Sequence, residues 1–442
     1  MVLILVWIGI ILIVGKIKKE KYIMKIFEPK IISTLKDYNL SKLGSDVVAG
    51  IIVAIIALPL SIALAIASGV APVQGLYTAI VAGFVIALLG GSKVNISGPT
   101  AAFATMIAVI VAEQGMDGLV IATIMAGIIL VLMGVLKIGS FIKYMPHSIT
   151  TGFTSGIALT IVIGQLKDFF GLTYPAGAHN IHTPDKVMNV INFFSTVNWW
   201  AVLVGIIGLI VLIGWPKINK KIPGSLIAVF AGVAVVLIFK MDVATIGSQY
   251  GEISSDLPKF TMPDFSLDKI GTLLPSAVKI AILAGIESLL SCVVSDGMIE
   301  DKHNSNTELI AQGAGNIFSG LFGGIPATGA IARTAANVKN GGRSPISGMV
   351  HALVLLLVLV FLMPYAKWIP MPIIAAILFI VAYNMSEWRE FVHICKTSHW
   401  TDILVLIVTF VLTVALDLVY AIIAGVVLSV IFHFVYKNKK NK

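Results

Sequence analysis

Apolar stretches close to the length of a bilayer crossing recur along nearly the whole of this 442-residue chain, and no other feature limits its fold so severely. A crossing helix needs about 20 mainly apolar residues, because lipid offers no partner for an unpaired backbone N–H or C=O. Candidate spans run over 47–68, 72–90, 98–113, 118–136, 147–165, 198–214 and 223–240, then 273–297, 306–322, 329–339, 345–363, 370–384, 401–416 and 418–436. With 58% hydrophobic and 12% charged residues, the chain carries more apolar sequence than a water-soluble core can absorb. The runs also lack the strict alternation of a transmembrane barrel. The expected fold class is an all-α polytopic membrane protein with about 14 transmembrane segments.

The spans divide into seven plus seven, and the third member of each set is short and opens in a Gly/Pro break. An odd number of spans per half inserts the second half upside down, which predicts an inverted repeat with repeat 1 over 46–241 and repeat 2 over 272–437. The basic joints at Lys93, Lys137, Lys143, Lys217, Lys220, Lys221, Lys302, Lys339, Arg343, Arg389 and Lys396 fall on one side of this arrangement. By the positive-inside rule that side is cytoplasmic, both termini included, with 438–442 a basic tail. The expected location is the cell (inner) membrane. Residues 1–45 form a basic N-terminal segment. Its apolar run Val2–Val14 is short for a span and precedes Lys16–Lys21, the reverse of a signal peptide, so an upstream extension before Met24 is expected.

The two broken segments are Ser97-Gly98-Pro99-Thr100-Ala101-Ala102-Phe103 and Gly324-Ile325-Pro326-Ala327-Thr328-Gly329-Ala330-Ile331-Ala332-Arg333-Thr334. A helix that begins inside the bilayer leaves its first N–H groups unpaired and its positive dipole end exposed. Two such ends in matching positions of two halves point to a small-anion site between repeats. Gly and Ala allow close backbone approach, and Thr100, Thr328 and Thr334 offer hydroxyls. The competing reading is that Gly and Pro only permit kinks and close helix packing. Arg333 would add fixed positive charge to the site, since a cation in a membrane costs roughly 2.5–3.5 kcal/mol and is seldom kept without a partner or a task. Its alternatives are an inward-facing structural pair, with Glu287 the candidate partner, and snorkelling from a half-helix nearer the cytoplasm. Glu287, flanked by Gly285, Ser288 and Ser291 in a span, is a proton carrier, a cation ligand, that ion-pair partner, or a carboxylate hydrogen-bonded for stability. Phe103 either lines the site or packs. Asn316, Gln74, Tyr77 and Gln165 read as interhelical hydrogen-bonding groups, and Asp46 and Asp296 as caps.

Several classes are disfavoured. The +9 charge is scattered through loops and tails rather than gathered on one face, so nucleic acid is not an expected partner. Cys292 and Cys395 have no metal spacing, and no Walker or His-Glu-x-x-His motif occurs, so no cofactor, metal or enzymatic activity is expected. The run Gly313-Ala314-Gly315-Asn316-Ile317-Phe318-Ser319-Gly320 imitates a nucleotide loop, but it lies in a span and reads as small-residue helix packing.

At these same residues the chain resembles the SulP (sulfate permease, SLC26) family of anion transporters. The resemblance is carried by Leu58-Pro59-Leu60 through Ser68-Gly69, Gly75-Leu76-Tyr77, Ser97 through Ala102, Pro146 through Gly156-Ile157, Gly324 through Thr334, and Gly342-Arg343-Ser344-Pro345, and it extends over about 46–437. It implies a UraA-like fold with core and gate domains, an anion site framed by the third and tenth spans, and Glu287 with Ser291 on the eighth. The implied function is secondary active transport of a sulfate-type inorganic anion or a dicarboxylate, by proton symport or anion exchange. Sodium-coupled bicarbonate members carry Thr where Ile331 stands, which disfavours Na⁺ coupling. Members usually continue into a STAS domain, which this sequence is expected to lack, and they admit a homodimer. The rivals are a nucleobase-type proton symporter of the same fold, which would place a second acid where Ala332 and Arg333 stand, an anion channel, and a non-transporting scaffold.

Overall fold

The computed structural model describes residues 27–139, 146–175, 178–219, 222–416 and 418–440. The expectations for Val2–Val14, Met24, Lys143, Lys220 and Lys221, and for the end of the basic tail, lie outside them. The chain is almost wholly helical. In order it forms α1 (Lys30–Thr34), α2 (Leu40–Ala67), α3 (Pro72–Leu89), β1 (Ser97–Gly98), α4 (Ala101–Val135), α5 (His147–Phe170), α6 (Thr183–Asn192), α7 (Trp199–Ile218), α8 (Gly224–Phe239), α9 (Ile246–Tyr250) and α10 (Leu267–Ile299). There follow α11 (Ser305–Leu321), β2 (Thr328–Gly329), α12 (Ile331–Lys339), α13 (Pro345–Leu362), α14 (Met371–Met385), α15 (Trp388–Thr397), α16 (Trp400–Ala415) and α17 (Leu418–Lys440).

Among the described residues, 8 helices are long and apolar enough to cross a membrane, and shorter apolar helices supply further segments. Gly115 adopts a left-handed conformation (φ 69°) inside α4, so α4 is two segments joined at a sharp corner. Counted that way, the helices provide the fourteen segments expected from the sequence. The third and tenth are the short ones. α12 has 9 residues, about 14 Å of helix, less than half the thickness of a bilayer core.

Packing sorts the helices into two groups. α4 lies most extensively against α11 and α10, α3 against α13 and α11, and α2 against α13, giving one body made of α2, α3, α4, α10, α11, α12 and α13. The other comprises α5, α7, α8, α14, α16 and α17. Glycine sets the closeness of the first body. A Cβ on Gly313 of α11 would lie 2.5 Å from the carbonyl oxygen of Gly127 in α4, and one on Gly127 would lie 2.6 Å from that of Gly313. The Gly313–Gly320 run therefore serves helix packing, as the sequence suggests.

Polar groups at segment ends behave as caps. Asp46 is buried and accepts from the backbone N–H of Arg343 (2.8 Å) and of Ser344 (3.2 Å), from Tyr38 (2.7 Å), and from the Ser344 hydroxyl, so one carboxylate of α2 anchors the start of α13. Asp296 accepts from His303 at both the ring (2.7 Å) and the backbone (3.1 Å).

Candidate functional site

The chain leaves α3 at Gly90 and turns back into the bundle as the extended run Asn95–Pro99 before α4 begins. From the other half, Ala327–Ala330 does the same before α12. The two runs meet antiparallel, Ser97 opposite Gly329 and Gly98 opposite Thr328. The ladder is two residues long, and further bonds pin it. The N–H of Ala330 donates to the Ile96 carbonyl (2.8 Å), and that of Ile96 to the Thr334 hydroxyl (2.9 Å). Asn316 holds Ala327 from both sides, accepting from its N–H and donating to its carbonyl, each at 2.9 Å. Glycine is required at the crossing: a Cβ on Gly98 would sit 2.7 Å from Nη1 of Arg333, and one on Gly329 2.7 Å from the Asn95 amide.

Each run then turns directly into a helix. Neither start has a side-chain cap, whereas Asn39, Asn198, Ser266, Asn304 and Ser344 cap α2, α7, α10, α11 and α13. The first-turn amides of Ala101 and Ala102 in α4, and of Ile331 and Ala332 in α12, have no carbonyl within their own helix to donate to. Ala332 and Ile331 are exposed, the latter at 41%, while Ala101 and Ala330 are nearly buried at 6% and 8%. Thr100, at the cap position of α4, directs its hydroxyl instead to the Glu287 carboxylate (3.0 Å). Two dipole ends, a carboxyl group and a threonine thus share one region. A cavity of about 730 Å³ runs from Ala102 and Thr105 in the first turns of α4, between α5 and α10, to His182, Asp185 and Lys186 at the start of α6.

The other residues expected at the site have more varied places. Phe103 is wholly buried and belongs to the packed core. Ser97 is buried and its hydroxyl accepts from Gln312 (2.9 Å). The Thr328 hydroxyl is spent on Ser288 (2.7 Å) and the Ala284 carbonyl (3.1 Å). Ser291 lies behind the crossing, bonded to Asn95 (2.8 Å) and Thr334 (3.1 Å). Arg333 is 3% exposed, donates through Nη2 to the Pro99 carbonyl, and turns Nη1 towards Gly98 and α3. It ties the start of one half-helix to that of the other. Among the described residues it makes no ion pair with Glu287, which disposes of the direct-pair reading, although the two interact electrostatically.

A buried carboxylate that the sequence did not flag supports this crossing. Glu308 of α11 is fully buried, has no cationic partner among the described residues, and accepts four hydrogen bonds, from the N–H of Gly91 (2.9 Å) and Ser92 (3.2 Å) and from the amides of Asn95 (2.7 Å) and Gln312 (2.9 Å). Asn95 then passes the connection to Ser291 and Thr334. A lone Glu at a helix start reads as a capping residue, and only the returning 90–95 loop reveals the network.

A sequence profile described as the sulfate permease family matches residues 43–409. The chain belongs to the sulfate permease family. This family is one of membrane transporters rather than enzymes. Among its relatives, this family member is 45% identical over 398 residues to the putative sulfate transporter YvdB of Bacillus subtilis (strain 168), covering 90% of this chain and 74% of that one. It is 33% identical over 396 residues to the bicarbonate transporter BicA of Picosynechococcus sp. (strain ATCC 27264 / PCC 7002 / PR-6), covering 86% and 68%. Its structure resembles the transmembrane domain of a cyanobacterial BicA, with a TM-score of 0.78 at 31% identity over 87% of this chain and 98% of that one. Murine SLC26A9 in its inward-facing state superposes with a TM-score of 0.84 at 19% identity, over 97% and 75%, a likeness of fold alone.

Proposed function

We propose that this family member is a secondary active anion transporter, with a sulfate-type inorganic anion or a dicarboxylate held between the first turns of α4 and α12. The observation that carries this reading is the pair of uncapped helix starts meeting at the β1–β2 crossing. Free amides at Ala101, Ala102, Ile331 and Ala332 supply donors without requiring a mobile side chain, and the aligned dipoles favour negative charge. Arg333 contributes from behind. Its guanidinium is committed to Pro99, so it adds positive potential and rigidity rather than a direct contact. Relatives named for sulfate and bicarbonate transport agree with this class of cargo.

Coupling is assigned to Glu287. It is half-buried, has Thr100 as its hydrogen-bond partner, and lies beside the first turn of α4, so a proton gained there changes the charge facing the anion. The Ile331 side chain offers no oxygen ligand, which favours proton symport or anion exchange over sodium coupling. In this reading the halves 46–241 and 272–437 are inverted repeats, both termini are cytoplasmic, and the core (α2–α4, α10–α13) moves against the gate (α5, α7, α8, α14, α16, α17). Counterflow of labelled sulfate and of labelled succinate in proteoliposomes, with and without a pH gradient, tests the proposal. Flux of either anion that accelerates when the trans side holds unlabelled anion or the cis side is acidified supports it; no anion flux in competent vesicles sinks it.

A further inference from the structure

His351 lies in the middle of α13, is wholly buried, and has a hydrogen-bond partner at neither ring nitrogen. Nη1 of Arg333 is also buried and unpartnered. Such groups are rare, because a buried donor or acceptor left unpaired forfeits its interaction with water. The two face the same strip of α3. A Cβ on Gly98 would lie 2.7 Å from Nη1 of Arg333 and 3.5 Å from the Ala79 Cα, while a Cβ on Gly83 would lie 3.9 Å from Nδ1 of His351 and 3.1 Å from the Ser97 carbonyl oxygen. Ala79 and Gly83 are one helical turn apart on one face of α3, so the two nitrogens approach neighbouring positions of one small-residue strip. The groups interact electrostatically across it.

We propose that His351 is the positioning residue for Arg333, acting through one buried water seated against Gly83. The chemistry is complementary. A guanidinium can only donate, whereas a neutral imidazole accepts at one nitrogen, and a second buried cation beside Arg333 would be uncompensated. A water that accepts from Nη1 and donates to Nδ1 and to the Ser97 carbonyl completes three hydrogen bonds, the usual complement of an internal water. Glycine at 83 then serves two ends: it keeps α3 clear of the Ser97 carbonyl, 3.1 Å from where a Cβ would lie, and it leaves the seat for the water. Held at Nη2 by Pro99 and at Nη1 through this water, the guanidinium is fixed at the joint between the half-helices.

The inference rests on the anion-site reading for its effect on affinity, but not for its primary test. The chain has three arginines, Arg333, Arg343 and Arg389, and Arg333 is the buried one, so arginine-selective ¹⁵N labelling of the full chain in detergent isolates its guanidinium. Wild type and His351→Asn, which keeps an acceptor near the Nδ1 position, should give resolved, slowly exchanging Nη signals. In His351→Leu and Gly83→Ala these signals should merge and exchange faster. Sulfate, succinate and bicarbonate affinities should fall about tenfold in His351→Leu, the loss expected for one charge-assisted hydrogen bond, and stay within about twofold of wild type in His351→Asn. Unchanged Arg333 signals in His351→Leu overturn the proposal, as do equal losses in Asn and Leu. Should His351→Leu fail to fold, Gly83→Ala carries the test, since it leaves both partners in place and fills the water's seat; its Cβ also comes within 3.1 Å of the Ser97 carbonyl oxygen, so the signals are read only if its thermal stability matches wild type, and His351→Asn with retained signals is required beside it. A wild type that binds none of the three anions while its Arg333 signals respond as described rejects the anion reading and leaves this one standing.

Discussion

Replacing Gly329 by alanine tests the crossing most directly. The new Cβ would lie 2.7 Å from Nδ2 and 2.9 Å from Oδ1 of Asn95, and 3.1 Å from the Ser288 Cα. None of these neighbours can yield. Asn95 is held by Glu308 at 2.7 Å, by Ser291 at 2.8 Å and by Thr334 at 3.0 Å, and the Ser288 Cα is helix backbone. The ladder must therefore open, which adds strain of about 1–3 kcal/mol for overpacking. It also weakens the bond from the Gly329 N–H to the Ser288 hydroxyl (3.0 Å), a further ~1 kcal/mol. A total of ~3 kcal/mol corresponds to a fall in apparent Tm of about 3 °C, taking the usual unfolding entropy per residue over a chain of this length. Thermal unfolding in detergent provides the assay, with Gly214→Ala in α7 as control. At Gly214 a Cβ meets nothing within 4 Å, so alanine should be neutral or slightly stabilising through its higher helix propensity. A Gly329→Ala protein as stable as the Gly214→Ala control would refute the claim that the crossing is closely packed and rigid.

Other outcomes follow from the same contacts. Glu308→Ala leaves four donors without their acceptor and should cost about 3–5 kcal/mol, seen as loss of folded protein in size-exclusion chromatography; wild-type yield and stability would contradict it. Thr100→Val removes the one side-chain partner of Glu287 at a folding cost of only ~1 kcal/mol, and should displace the pH dependence of anion flux while leaving the fold intact; an unmoved pH profile would detach Glu287 from coupling. Asp301, in the joint between α10 and α11, is paired with Lys93 (3.0 Å) and Lys30 (3.5 Å). Burial alone would raise its pKa, but the hydrogen bond from Lys93, the Lys302 backbone and the two lysine charges outweigh it and hold the carboxyl below its usual value. A depressed folded pKa gives stability that is present above the unfolded value near ~3.9 and is lost as pH falls through the folded one. Wild type should therefore exceed Asp301→Asn by at most ~1 kcal/mol at pH 7, and the gap should close below about pH 4; a gap that persists in acid would show that charge is not its source.

The sequence discloses the architecture because lipid enforces it: span lengths, the short third and tenth members and the Gly/Pro breaks are local signals. The same signals mark the breaks from which each half-helix starts, but not that the two breaks pair as β1 and β2. Where side chains point was not legible. Arg333 reads as a charge aimed at a ligand, and only the close approach of Gly98 and the Pro99 carbonyl shows that it faces the scaffold. Thr328 and Thr334 read as free hydroxyls for the same reason, since their partners, Ser288 and Asn95, lie 40 and 239 positions away. Glu308 and His351 carry no motif at all. Their environment is assembled from α3, the 91–99 run, α11, α12 and α13, and no window of sequence contains it.

The hydrogen bonds at the crossing also decide which movement transport can use. Arg333 to Pro99, Ala330 to Ile96, Thr334 to Asn95, and Glu308 to Gly91, Ser92 and Asn95 tie the 91–99 run that leads into α4 to α11 and α12, and Ser291 to Asn95 ties it to α10. Pulling the two half-helices apart to release an anion would break several buried bonds together, each costly to leave unmade. The seam towards α5, α16 and α17 is different in kind. The cavity lies along it, bounded by Ala102, Met106 and Ile110 on one side and by Ile157, Thr160 and Thr413 on the other, mostly apolar side chains that can slide without stranding a donor. If the anion binds as proposed, a transporter built this way keeps its binding geometry constant and alternates the wall that covers it. On the proposed reading, selectivity would reside in the rigid crossing, and the rate of turnover in the packing between core and gate.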